Sequence, residues 1–143
     1  MRMRALRADS KGQALLEFAL ILPILLLLVL GSLEFGRAWN LAQMMSDVAR
    51  EGARRAVIAD PTIAEQSVKD FMAQKLETAG VPVTAMSPPN GSIEFTDTNG
   101  VATWHPPSGT PVNATIRIPY SWMFFGTAFR PIVLTSSFTM RME

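Results

Sequence analysis

Gly12-Gln13-Ala14-Leu15-Leu16-Glu17-Phe18, continued by the apolar run 19–33, decides how this chain of 143 residues is built. A basic, polar start with Arg2, Arg4, Arg7 and Lys11 precedes it. A helix needs roughly 20 residues to cross the hydrocarbon core of a bilayer. Residues 14–33 supply that length only if Glu17 is included, because 19–33 alone would rise about 22 Å. Glu17 therefore belongs near one interface, where snorkelling and water keep its cost below the roughly 2.5–3.5 kcal/mol of a carboxylate at the bilayer centre. A mere anchor has no use for that charge, so Glu17 reads as a functional group. Basic residues before the run and Glu34 after it place the N-terminus in the cytoplasm.

Three readings of the segment compete. A cleaved secretory signal wants a small-residue site just after the run, and Leu33-Glu34-Phe35 is not one. A plain uncut anchor satisfies the hydropathy and leaves Glu17 unexplained. A leader cut on the cytoplasmic side would keep the apolar helix in the product. Gly12, four residues, then Glu17-Phe18 resembles the processing site of bacterial type IV prepilins. The wider run 12–20, with Pro23, Glu34-Phe35-Gly36-Arg37 and Arg50-Glu51-Gly52-Ala53-Arg54, is similar to the TadE-like minor pilins (pseudopilins) of tight-adherence, or Flp, pilus systems. The resemblance covers residues 11–58 and fades beyond residue 60.

The resemblance implies cleavage between Gly12 and Gln13 by an inner-membrane prepilin peptidase, with Glu17 and Phe18 acting in recognition or assembly. It further implies a place in the bacterial inner membrane with the head in the periplasm, or within an extracellular pilus. The partners it implies are a major pilin and other minor pilins. After such a cut Gln13 would carry an α-amino group with a reference pKa near 8. That cation and Glu17 are each costly alone in an apolar bundle and less costly paired. The resemblance implies such pairing between staggered subunits.

Helical pattern continues past the run. Phe35, Ala38/Trp39, Ala42, Met45, Ala49, Gly52/Ala53 and Ala56/Val57 recur every three or four residues, one helix face. Arg37, Asp47, Arg50, Glu51, Arg54 and Arg55 occupy the other, with Glu51 and Arg55 at the favourable i, i+4 spacing. Pro23 predicts a bend, because it lacks an N–H and crowds the preceding turn. Ala49, Gly52, Ala53 and Ala56 form small-xxx-small pairs that let helix backbones approach closely. They serve packing either on the protein's own head or on a partner helix.

Asp60-Pro61 ends this helix, since the residue before proline leaves the α region. Thr62-Ile63-Ala64-Glu65 reads as a capping box opening a second helix, and Gly80 as its left-handed stop. Ile63, Ala64, Val68, Phe71, Met72, Leu76 and Ala79 form its apolar stripe. The proline-rich stretch 81–90 is a linker or an irregular edge. Ile93 and Phe95 alternate with Glu94 and Thr96, and Asn99-Gly100 is a strong hairpin signal. A two-residue turn there would pair Thr98 with Val101 and Phe95 with Trp104. Val112, Ala114, Ile116, Ile118 and Tyr120 mark a third strand; Leu134, Ser136, Phe138, Met140 and Met142 mark a fourth. The apolar connection Trp122-Met123-Phe124-Phe125-Gly126 is either buried under the sheet or an exposed contact patch.

The expected fold is thus α+β: a long N-terminal membrane-spanning helix and a small head with one further helix and about four antiparallel strands. Its parts are a leader 1–12, a transmembrane half-helix 13–33, an extramembrane half 34–60 and a head 61–143.

Chemistry is sparse. The chain has no cysteine, and its one histidine, His105, falls in a turn-like stretch that suggests a solvated imidazole. Neither a nucleophile elbow, a phosphate-cradling glycine loop nor a Ca²⁺ loop occurs. No catalytic residue, metal, cofactor or small-molecule substrate is expected. Residues 1–12 hold four of 13 basic and one of 12 acidic residues, leaving nine against eleven in the remainder. That balance disfavours nucleic acid as a partner. Two functional classes stand: a pilus assembly subunit, or an uncleaved single-pass anchor for a periplasmic binding or sensing module.

Overall fold

The computed structural model describes residues 10–58, 62–81, 91–105, 107–124, 126 and 130–141. The expected helix end at Asp60-Pro61, residues 82–90 of the linker, Phe125 and Met142 lie outside them, as does most of the leader. Helix α1 is Ser10–Ile58 and is continuous through Pro23. The chain divides into two units, Met1–Gly36 and Arg37–Glu143.

In the first unit α1 is apolar on every side, and its large side chains from Leu15 to Leu33 are exposed except for the half-buried Leu22 and Leu30. Glu34, at its end, is almost fully buried and has an interaction partner.

In the second unit α1 lends one face to a core. Met45, Val48, Ala49, Gly52, Ala53 and Ala56 are buried at the expected three- and four-residue spacing. That line continues back through the half-buried Leu41, Ala42 and Ala38. Trp39 falls one step around the helix and is 59% exposed, so it leaves the face that periodicity assigned to it.

Helix α2, Glu65–Thr78, adds Val68, Met72 and Leu76, one line at i, i+4 and i+8. It begins two residues later than the capping-box reading has it. Ala64 is the N-cap residue, in extended backbone, and no side chain caps the turn. The Ile63 carbonyl accepts the Trp104 indole N–H at 3.2 Å, which ties this strip to the sheet side instead of to a helical turn. The C-terminus behaves as expected. Gly80 takes φ +90, its N–H reaches the Glu77 carbonyl and that of Val81 the Leu76 carbonyl. This is a Schellman cap, closed by contact-ready apolar residues at both ends; Val81 and Leu76 are buried.

Among the described residues three strands, rather than about four, form the sheet: β1 (Ser92–Thr96), β2 (Pro111–Tyr120) and β3 (Ile132–Arg141), in the order β1-β2-β3 and antiparallel. The missing strand after Asn99-Gly100 shrinks to one bridge, Thr96 with Ala102. Asp97 is the cause. Its carboxylate accepts the N–H groups of Asn99 (2.8 Å) and Val101 (2.9 Å), and its own N–H donates to the Val101 carbonyl. The loop is therefore three residues, 98–100, with Gly100 at φ +80, the type I turn plus glycine bulge. Register moves by one residue from the expected two-residue turn. Thr103, not Trp104, bonds to Phe95 through the backbone. Phe95 and Trp104 still meet edge to face, with ring centroids 5.2 Å apart.

Central β2 buries Val112, Ala114, Ile116, Ile118 and Tyr120. Leu134, Ser136, Phe138 and Met140 of β3 are half-buried beside it while their neighbours are exposed. Pro119 lies beyond the end of β1 pairing at Arg117, where β2 has one neighbour, the setting a proline tolerates.

Candidate functional site

The expected site residues fall in two places. Gly12, Gln13, Glu17 and Phe18 lie on the exposed apolar part of α1; Ala49, Gly52, Ala53 and Ala56 lie in the head core. Helical spacing brings Gln13 and Glu17 together: the Gln13 amide donates to the Glu17 carboxylate at 3.2 Å. Phe18, 58% exposed, is one position further around. Gly12 is already inside the first turn of α1, which starts at Ser10. Its N–H is thus among those with no intrahelical acceptor, and a first turn frays readily.

Around these residues the helix surface carries Leu15, Leu16, Leu20, Ile21, Ile24 and Leu28, each at least 60% exposed. A helix apolar on all sides is stable either inside a protein or inside a bilayer. None of the most apolar 18-residue window of this helix is buried in protein. Length, all-round apolarity and exposure make it a membrane-anchoring segment. Glu17 is the one charged residue between Gly12 and Leu33.

Gly52 is the closest approach in the head. A Cβ there would run into the thioether of Met72, so the missing side chain lets α2 settle against α1. Ala49 and Ala53 are fully buried and Ala56 nearly so. An electrostatic seam lies beside this contact. Lys75 bonds to Glu51, Arg55 reaches Glu51 at 3.3 Å, and the Arg55 guanidinium covers the Phe71 ring at 3.3 Å. The Lys75 hydrogen bond, with the charges of Lys75 and Arg55, holds the Glu51 carboxyl below its ordinary pKa. In the β1 turn, the N–H donors of Val101 and Asn99 do the same for Asp97. An open groove of about 560 Å³ beside the seam is lined by Arg54, Ile58, Ile63 and Val68 among others. It brings none of the expected site residues together.

Two placements escape sequence reasoning. Glu34 is only 1% exposed, and nothing in periodicity distinguishes it from a flanking charge. His105 is not the solvated imidazole its turn-like context suggests. Its ring packs edge-on against Trp104 with centroids 4.7 Å apart, and both nitrogens are shielded with no hydrogen-bond partner among the described residues. Among the described residues no three His, Cys, Asp or Glu side chains form a group able to hold a metal.

The architecture defines a class: an α+β protein anchored by an N-terminal apolar helix that continues into the core of its own head. The family model of TadE-like proteins matches residues 12–54, from Gly12 through the Glu51–Arg54 stretch. The resemblance read from Gly12, Glu17-Phe18 and the Arg50–Arg54 run is therefore borne out over that segment. No curated protein and no solved structure matches the chain.

Proposed function

We propose that the protein is a TadE-like minor pilin (pseudopilin) that acts in assembly of a tight-adherence pilus and is not an enzyme but the substrate of one. The observation that carries this reading is Glu17, a lone carboxylate on a membrane-anchoring helix surface, placed five residues beyond Gly12 at the start of the family match. In this reading prepilin peptidase cuts after Gly12 and the apolar helix stays in the inner membrane. The head then lies in the periplasm, consistent with the basic residues Arg2, Arg4, Arg7 and Lys11 remaining on the cytoplasmic side. The new Gln13 amine and Glu17 of neighbouring subunits offset one another's charge and set the stagger. Major and other minor pilins supply the partner helices.

One observation favours the uncleaved anchor instead: the Gly12–Gln13 bond lies within a helical turn. Cleavage requires that turn to open, a small cost at a helix end. Gly12→Leu decides between the readings. In the native host the variant should persist as a species heavier than wild type by the twelve-residue leader. Identical migration of the two, with an intact Met1, would establish the anchor.

A further inference from the structure

The groove of about 560 Å³ between the end of α1 and the start of α2 has the size of a site that takes side chains or a small ligand. Arg54, Arg55 and Ile58 of α1 line it, with Ile63, Ser67 and Val68 across from them. Ile58 is 69% and Ile63 40% exposed. Apolar surface rimmed by charge is the mark of a contact surface. The charge is also unbalanced. Glu51 already serves both Lys75 and Arg55, and Glu65 serves Lys69. Arg54, exposed beside the two isoleucines, has no carboxylate partner among the described residues. The groove therefore fits an apolar side chain carried next to a carboxylate.

The head itself presents that combination. Between Lys75 and Arg117 the sequence has no Lys or Arg, whereas Glu77, Glu94 and Asp97 fall there. At the tip after β1, Asp97 and Val101 are held side by side. The Val101 N–H donates to the Asp97 carboxylate at 2.9 Å, and the Asp97 N–H to the Val101 carbonyl at 2.9 Å. Val101 is 59% exposed. Such a tip is ordered before it binds, so little entropy is lost on docking. It does not line its own groove. The Trp104 indole, three residues past Val101, is bonded to the Ile63 carbonyl at the groove's lip. Tip and groove thus belong to the same end of the head, and a two-fold pair of molecules makes the contact twice.

We propose that the groove is a self-association site, in which Val101 of a second copy of this chain packs against Ile58 and Ile63 and the Asp97 carboxylate of that copy meets Arg54. Every residue involved lies in the unit that begins at Arg37, so the contact is independent of any cut after Gly12. Each half of it is small, and the pair is accordingly weak and concentration-dependent.

Because the chain has no cysteine, cross-linking between single replacements reports the contact directly. Full-length Ile63→Cys and full-length Val101→Cys, one of them tagged so that products separate by size, are mixed in detergent and oxidised with copper phenanthroline. Ser137→Cys, exposed on β3, replaces Val101→Cys as the control for random collision. A disulfide needs Cβ atoms about 3.5–4.5 Å apart, so the 63–101 product should exceed the 63–137 product several-fold. Arg54→Glu in the Ile63→Cys chain should reduce it to the control, since attraction to Asp97 becomes repulsion, while Arg54→Lys should retain it. A 63–101 product no greater than the control would overturn the second copy as occupant and leave the groove to a different protein. A dominant 63–63 product would overturn the hairpin tip as the docking element. Excess 63–101 product that survives Arg54→Glu would overturn the charge pairing. Thr98→Cys stands in for Val101→Cys if circular dichroism shows that the latter disturbs the head.

Discussion

A carboxylate on an otherwise apolar helix surface invites a direct test of its charge. Glu17→Gln keeps shape and hydrogen-bonding capacity, including the link to Gln13. Insertion should be preserved or improved, because the bilayer cost of the charge disappears. Recovery of the subunit with pilus components should fall. Normal cutting with lost assembly would point to pairing with the Gln13 amine, and lost cutting to peptidase recognition; normal cutting with normal piliation would remove both roles. Gly100 supports a separate residue-scale prediction. It sits at φ +80 with open space around it, so the penalty of Gly100→Val comes from backbone strain rather than a clash, about 1–2 kcal/mol. Denaturant unfolding of the detergent-solubilised chain measures it. Both positions were legible in the sequence, Glu17 by its isolation and Gly100 by the residue before it. His105 was not, because its shielding depends on Trp104, whose own position follows from the turn register.

Between elements, the α1–α2 contact turns on Gly52. Gly52→Leu should destabilise the head by about 1–3 kcal/mol through overpacking. Combining it with Met72→Ala should recover part of that loss, a coupling of roughly 0.5–3 kcal/mol in a double-mutant cycle. The adjacent Glu51–Lys75 bridge gives a pH signature. Glu51 is held below its ordinary pKa of 4.5, so the bridge contributes fully above that value and fades as pH falls through the lowered one. Lys75→Met should cost only a few tenths of a kcal/mol at neutral pH, as for exposed pairs. Its deficit from wild type in thermal unfolding should close on acidification. Helices and strands β2 and β3 were readable because periods of three to four and of two residues survive any detail of packing. The register after β1 was not, since an Asp97 side chain accepting two N–H groups converts a two-residue turn into a three-residue loop. The start of α2 was likewise misplaced, by a tertiary bond from Trp104 to Ile63.

For the molecule as a whole, every buried apolar residue of the described core lies at Met45 or later, within the unit that begins at Arg37. A chain starting at Arg37 should therefore fold without detergent, with helix and sheet signals in far-ultraviolet circular dichroism and a cooperative melt. A molten profile would show that the head needs the anchor to fold. The split between anchor and head was plain in the hydropathy. What sequence could not supply was the fate of Ala49, Gly52, Ala53 and Ala56, since small residues fit an own-head contact and a partner helix equally well. The structure places them in the core of the head. Their smallness has a consequence during synthesis. α1 is complete before α2 and the sheet have left the ribosome, and its core-facing stripe must wait uncovered. Alanines and a glycine expose little apolar area in that interval, far less than the leucines of the anchor. The same stripe that later admits Met72 therefore leaves the newborn helix little surface by which to stick to another chain.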